Sequence, residues 1–161
     1  VIDSTSDLKA LTRDLVGSLT MYSGQMGTAP QNIFIPSSGI DVDGTQVSFT
    51  DVVSGIADAI DSLLADPQRA TDILGAIKGS ATLERIAQAS SNGEVVLESR
   101  PVTHPSFPKA VVRTPVVVKV DADERDLFMR DMFGPIVYVI ATADTDESLE
   151  LAAAGAARSG A

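Results

Sequence analysis

The chain has 161 residues, 44% of them hydrophobic, with 12 Lys and Arg against 22 Asp and Glu for a formal charge of −10, one His, and neither Cys nor Trp. That length suits one ordinary domain with a real core, and the composition excludes a disordered chain, a disulfide framework, a thiolate metal site and a thiol nucleophile. The acidic balance argues against nucleic acid or an anionic membrane as partner, and the longest apolar run, residues 135–143, is too short to span a bilayer.

The first element expected is a helix, because Leu8, Leu11, Leu15, Leu19 and Tyr22 recur at steps of three and four. Ser4, Thr5 and Ser6 offer caps, and Asp7 adds negative charge in its first turn. Gly24 stops this helix, residues 24–30 read as a turn, and Asn32 to Pro36 read as a short strand. A second helix follows with Thr50 as its cap and Val53, Ile56, Ile60, Leu63 and Leu64 as its buried stripe. Asp51, Asp58 and Asp61 fall off that stripe.

Pro67 begins a short helical turn through Ile73 and Leu74. Another helix, from about Thr82 to Ala89, buries Leu83 and Ile86 and ends at Asn92-Gly93, and Glu94 to Glu98 read as a strand. Residues 101–108 hold three prolines and are expected to be irregular. Val116 to Val120 is a continuous β-branched strand, as needed where both faces are covered. An acidic, helix-like stretch from Asp121 to Met129 leads to the turn 131–135, and Ile136 to Ile140 form a further buried strand. A helix from about Ser148 to Arg158, preceded by the acidic start 144–147, closes the pattern. Alternating strands and helices predict an α/β fold in three layers, with a largely parallel sheet and helices on both faces.

Little in this pattern carries chemistry by itself. His104 has no matching nucleophile or second metal ligand in sequence and reads as a loop histidine. The acidic groups Asp121-Asp123-Glu124 and Asp144-Asp146-Glu147 lack the spacing of a cation loop and fit helix N-terminal charge; no metal is expected. Lys109, Arg113 and Lys119 read as local charge balance. Two stretches stand apart. Residues 23–30, with glycines at a helix-to-strand turn, could bring backbone N–H groups close to a ligand and stabilise an oxyanion. Asp131-Met132-Phe133-Gly134-Pro135 puts an acid and an aromatic ring two residues apart, as a ribose hydroxyl and a flat ring would require.

Together, Gly24-Gln25-Met26-Gly27 and Asp131-Met132-Phe133-Gly134-Pro135 resemble the aldehyde dehydrogenase superfamily. There a helix ends in Gly-Gln-x-Cys, a strand follows, and Glu-x-Phe-Gly-Pro comes later. Arg113-Thr114-Pro115 before a Val-rich strand and the closing residues 144–152 extend the resemblance over nearly the whole chain. Residues 28–32, 104–108 and 113–115 look most like the dehydrogenases of phenylacetic acid degradation. That branch is implied to oxidise a CoA-linked semialdehyde with NAD or NADP.

The resemblance places the family's nucleophilic cysteine at Gly27, whose backbone N–H would be one oxyanion donor. It places the ribose-binding glutamate at Asp131, one methylene shorter, and gives Phe133 a place beside the nicotinamide. Three departures accompany it. Gly27 has no side chain and cannot act as a nucleophile. No strand-Gly-x-Gly-x-x-Gly-helix unit occurs, so the dinucleotide-binding half is missing. The general-base glutamate and side-chain oxyanion amide belong to that missing half.

Residues 1–161 are therefore expected to be a catalytic domain cut from a longer, cytoplasmic enzyme. By itself it should bind no NAD tightly and oxidise no aldehyde. Its expected partners are a small-molecule aldehyde and, since the family forms dimers and tetramers through this domain, further copies of itself. A catalytically dead binding or scaffolding subunit is the rival reading. An unrelated α/β domain is the third, and it requires Gly27 and Asp131 to lie far apart.

Overall fold

The computed structural model describes residues 1–159, so the last two positions of the expected 1–161 domain lie outside the described residues. In chain order the first elements are β1 (Ser4–Thr5), α1 (Leu8–Thr20), a 3-10 turn (Met21–Gly24), β2 (Asn32–Pro36), β3 (Ile40–Val42) and β4 (Thr45–Val47). Then come α2 (Phe49–Leu63), α3 (Pro67–Ile73), α4 (Ser80–Ser90), β5 (Glu94–Leu97), β6 (Pro101–Val102) and β7 (Val112–Arg113). The last are β8 (Val116–Asp121), α5 (Arg125–Phe128), β9 (Ile136–Thr142) and α6 (Thr145–Ser159).

The centre is a four-stranded sheet in the order β2-β9-β8-β5. β2 pairs parallel with β9 and β9 parallel with β8, while β5 runs antiparallel on the β8 edge with a bulge between Val95 and Leu97. The two central strands are buried almost throughout, which is why both read as unbroken apolar runs. Their alternation divides the core in two. Val117, Val137 and Val139 pack with Leu19 of α1 and with Ile56 and Ile60 of α2. Val116, Val118, Val120, Ile136, Tyr138 and Ile140 pack with Ile86 of α4, Phe128 of α5 and Leu151 of α6. The protein is thus a mixed α/β fold with helices on both faces of the sheet.

Local chemistry sets the helix ends, and several differ from the sequence expectation. Ser4 and Thr5 do not cap α1: they pair with Asp41 and Val42 as β1, and Asp7 is the cap, accepting from the Ala10 N–H at 2.9 Å. α1 ends at Thr20, so Tyr22 leaves the helical stripe and is exposed. Ser48 rather than Thr50 caps α2, its Oγ accepting from the Asp51 N–H at 3.1 Å. α6 begins at Thr145, where Asp144 accepts from the Glu147 N–H and Glu147 accepts from the Ala143 N–H, a reciprocal cap. Glu124, the residue before α5, accepts from the Asp121 N–H at 2.8 Å and so closes the turn after β8, without a side-chain cap bond to α5 itself. Only the group at 144–147 caps a helix through its side chains, while that at 121–124 closes a turn, and among the described residues no trio of His, Asp or Glu gathers for a metal.

Besides the β1–β3 pairing, two more lay outside the sequence reading. Residues 40–47 form the hairpin β3-β4, turned by Asp43 and Gly44 at φ of 50° and 83°. The proline-rich stretch, expected to be irregular, contributes β6 to a two-stranded pairing with β7. Within it His104 Nδ1 accepts from the Ser106 and Phe107 N–H groups, both at 3.1 Å, so its role is to hold the loop. Among the described residues no helix is long and apolar enough to cross a membrane.

Candidate active site

The α1-to-β2 connection is an elbow of unusual backbone. Tyr22, Ser23 and Gly24 adopt successive left-handed conformations, with φ of 51°, 59° and 63°. Such conformations cost about 1–3 kcal/mol each for residues with a Cβ and persist only where surrounding contacts over-determine them. Those contacts are present. Ser23 is fully buried and donates through Oγ to the Gly75 carbonyl at 3.0 Å, while Gln25 Nε2 reaches the Tyr22 and Ala76 carbonyls. The elbow ends in the turn 26–29, closed by the Ala29 N–H on the Met26 carbonyl at 3.0 Å. Gly27 sits at its tip, and its N–H has no hydrogen-bond partner among the described residues.

The second segment lies directly across from the first. Gln31 Nε2 donates to the Arg130 carbonyl at 2.9 Å, and Gln31 Oε1 accepts from the Met132 N–H at 2.8 Å. One side-chain amide therefore brackets Asp131 on both sides, copying the pairing of a β ladder. Asn32 Nδ2 adds a bond to the Phe128 carbonyl at 2.7 Å. From the other direction, Arg85 of α4 donates through Nε to the Phe133 carbonyl at 3.0 Å and through Nη2 to Thr82 Oγ1 at 2.9 Å. The backbone of residues 130–133 is thus pinned, while the Asp131 and Phe133 side chains remain exposed. Asp131 makes no side-chain hydrogen bond or ion pair among the described residues.

These segments enclose a cleft of about 570 Å³ that Gly27, Asp131 and Phe133 all line, together with Met26, Arg130 and Arg158. All three residues singled out in the sequence are therefore brought together. The arrangement expected of an unrelated fold, with Gly27 and Asp131 far apart, is not the one seen. Gln31, Asn32 and Arg85 have placing roles that sequence reasoning missed. Gln31 and Asn32 follow immediately on the glycine turn, but their partners lie about a hundred residues away and leave no local signal.

An exposed carboxylate, a half-exposed aromatic ring and an unpaired backbone N–H thus line one cleft, which offers a hydrogen-bond acceptor, a flat apolar face and a hydrogen-bond donor to whatever occupies it. Tyr138 is fully buried on β9, and burial pushes its hydroxyl above the ordinary value of 10.0, against weaker opposing effects of the Asn92 bond and the Arg130 charge. Of the basic residues near the irregular loop, Arg113 is spent on Ser99 and Lys119 on Glu94. A second hollow, about 1010 Å³ and open, runs between α1 and α2 over Val16, Gly17, Val52 and Gly55. Gly27, Asp131 and Phe133 do not line it, whereas Tyr22 of the elbow does.

Residues 1–157 match the model of the aldehyde dehydrogenase family. Among solved structures, an NAD-dependent aldehyde dehydrogenase from Burkholderia multivorans is 38% identical with a TM-score of 0.87, the match covering 99% of this chain and 33% of that one. Aldehyde dehydrogenase C from Pseudomonas syringae, complexed with NAD+ and octanal, is 19% identical with a TM-score of 0.65, covering 98% and 36%. An NAD-dependent benzaldehyde dehydrogenase from Corynebacterium glutamicum is 18% identical with a TM-score of 0.61, covering 94% and 31%. The last two are likenesses of fold. The chain spans about a third of the length of these relatives. No curated protein matches it.

Proposed function

The chain belongs to the aldehyde dehydrogenase family, and from that premise we propose that it forms the catalytic portion of an NAD(P)-dependent enzyme oxidising an aldehyde to a carboxylate. The observation that carries this reading is the meeting of Gly27, Asp131 and Phe133 in one cleft. An aldehyde carbon set against position 27 would place its oxygen at the free Gly27 N–H, where a donor is worth most as negative charge develops. Asp131 is free to accept from ribose hydroxyls, and Phe133 offers a face to a flat ring. The nicotinamide, when bound, supplies the hydride acceptor. The dinucleotide-binding half, the general base and the second oxyanion donor belong, on this reading, to chain that the longer relatives possess and residues 1–161 do not.

The finer reading takes the substrate to be a CoA-linked semialdehyde of phenylacetate degradation, handled in the cytoplasm by a homo-oligomer without nucleic-acid or membrane partners. Its support is the sequence of residues 24–32, 104–108 and 113–115. Gly27 favours a second reading, a catalytically dead binding or scaffolding subunit, because a glycine supplies no nucleophile. Position 27 nevertheless has room for one: a Cβ built there meets nothing within 4 Å, and its φ is not left-handed.

Gly27→Cys in the full reading frame, assayed for aldehyde-dependent NADH formation, separates the two. Activity gained with cysteine supports an otherwise intact enzyme site. A normally folded cysteine variant without activity supports the scaffold. Residues 1–161 alone are expected to form no NADH, and NADH production by them would overturn the account of a missing half.

A further inference from the structure

We infer that Arg130 and Arg158 make the cleft a binding site for an anionic ligand group, a carboxylate or a phosphate. The inference deepens the reading above and rests on it only for the cleft being where substrate and cofactor meet. Both arginines line the cleft, Arg130 from the bracketed turn before β9 and Arg158 from the last turn of α6. Neither makes a side-chain hydrogen bond or ion pair among the described residues. Other cations of this chain are engaged: Arg13 faces Asp14, Arg100 faces Asp61, Lys119 faces Glu94 and Arg125 faces Glu150, at 3.0 to 3.7 Å. Arg85 and Arg113 are spent on backbone and hydroxyl oxygens. Lys9, Arg69, Lys78 and Lys109 lack such partners too, but none of them lines this cleft.

The charge count makes this placement informative. With 22 acidic residues and a net charge of −10, the protein as a whole repels anions. Along the cleft the balance reverses, because two arginines and a single acidic residue, Asp131, line it. A cleft of this size keeps a bound group within the roughly 8 Å over which charges are felt at physiological salt. Guanidinium presents paired N–H donors in a plane, which matches the paired oxygens of carboxylate and phosphate. Arg130 is further fixed at its base, since its own carbonyl is held by Gln31.

The anion could be the phosphate next to a nicotinamide ribose or a carboxylate on the aldehyde, and paired ligands distinguish these sources. Nicotinamide mononucleotide against nicotinamide riboside differs by the phosphate, and 4-oxobutanoate against butanal differs by the carboxylate. Binding of each to the 161-residue chain is followed by amide chemical shifts, with no turnover required. The charged member of at least one pair should bind about tenfold tighter and should shift the Gly27 and Met132 amides. Arg130→Ala combined with Arg158→Ala should abolish that preference, whereas Arg13→Ala should keep it. Arg158→Gln alone, at the exposed end of α6, should weaken it, which guards against misfolding of the double variant. Equal binding within both pairs, or a preference that survives loss of both arginines, overturns the inference. Because no chemistry is measured, that failure would leave aldehyde oxidation standing, and a failed oxidation assay would leave this result standing.

Discussion

Gly24 and Gly134 touch: a Cβ placed on Gly24 would lie 2.5 Å from the Gly134 carbonyl oxygen and 3.1 Å from its carbon. The elbow that presents Gly27 and the turn that presents Asp131 and Phe133 are therefore in backbone contact, and the cleft is the space left beside that contact. Gly134 is itself closed in from behind, since a Cβ there would come within 2.6 Å of Thr82 Cγ2. Both residues have left-handed φ, 63° and 135°. Alanine at either position should thus suffer twice, from conformational strain and from collision. We expect Gly24→Ala and Gly134→Ala each to lose about 1–3 kcal/mol of stability. Urea denaturation checks this, and midpoints equal to the parent's for both variants would sink the contact as described.

Gln31 should matter more for the placing of Asp131 than its position just before a strand suggests. Gln31→Ala removes the donor to the Arg130 carbonyl and the acceptor for the Met132 N–H. Stability should fall by about 1–3 kcal/mol, and the Met132 amide should exchange with solvent faster. Gln31→Glu keeps an acceptor for Met132 but sets a carboxylate against the Arg130 carbonyl. Its Met132 amide should stay protected while overall stability falls. Unchanged Met132 exchange in Gln31→Ala would show that the bracket does not hold the turn.

The sequence made the sheet centre legible because two continuous β-branched runs allow few other structures, and β8 and β9 lie where those runs are. β2 occupies the residues expected of it for a similar reason, bounded by Pro36 and the Ser-Ser-Gly cluster. Caps were less legible. Thr50 and Ser48 are equivalent by type, and only the Ser48 Oγ bond to the Asp51 N–H distinguishes them. Ser4 and Thr5 look like caps locally, but the edge of β3 recruits them into a strand. The β3-β4 hairpin did leave a signal, the Asp43-Gly44 pair between Ile40-Asp41-Val42 and Thr45-Gln46-Val47, and its strands of three residues are too brief to show periodicity. The antiparallel direction of β5 had no local trace, since pairing direction is decided by the path of the chain around α4. At the cleft, the two motifs were legible as motifs. Their contact was not, because Gln31 and Met132 stand 101 positions apart and each looks ordinary in its own neighbourhood.

Cysteine at position 27 should be tolerated by the fold, which makes it a usable probe of function. Nothing lies within 4 Å of the new Cβ, and the backbone there is one an L-residue adopts. The unfolded chain also loses some of glycine's freedom. We expect Gly27→Cys to change stability by less than about 0.5 kcal/mol. Its thiol should react readily with iodoacetamide, because the turn is exposed. A thiol resistant to alkylation in the folded protein but reactive in urea would mean that the tip of the elbow is closed.

Tyr138 should give the protein a measurable alkaline limit. Its hydroxyl titrates above 10.0 in the folded protein because burial disfavours the phenolate, whereas in the unfolded chain it titrates near that ordinary value. Below the unfolded value both states hold the proton, and the full contribution to stability is present. As pH rises past it, the unfolded chain releases its proton first, so stability falls by up to about 1.4 kcal/mol per pH unit. The fall ends once pH passes the folded value. Tyr138→Phe removes this term together with the 3.3 Å contact to Asn92. Near neutral pH the variant should be less stable by about 0.5–1.5 kcal/mol. Above the ordinary tyrosine value the two stability curves should converge, because only the parent continues to lose stability at this site. Tyr22 is present and exposed in both proteins, so its titration cancels in the comparison. Denaturant unfolding across the alkaline range tests this, and curves that stay parallel would show that the buried hydroxyl does not couple folding to pH.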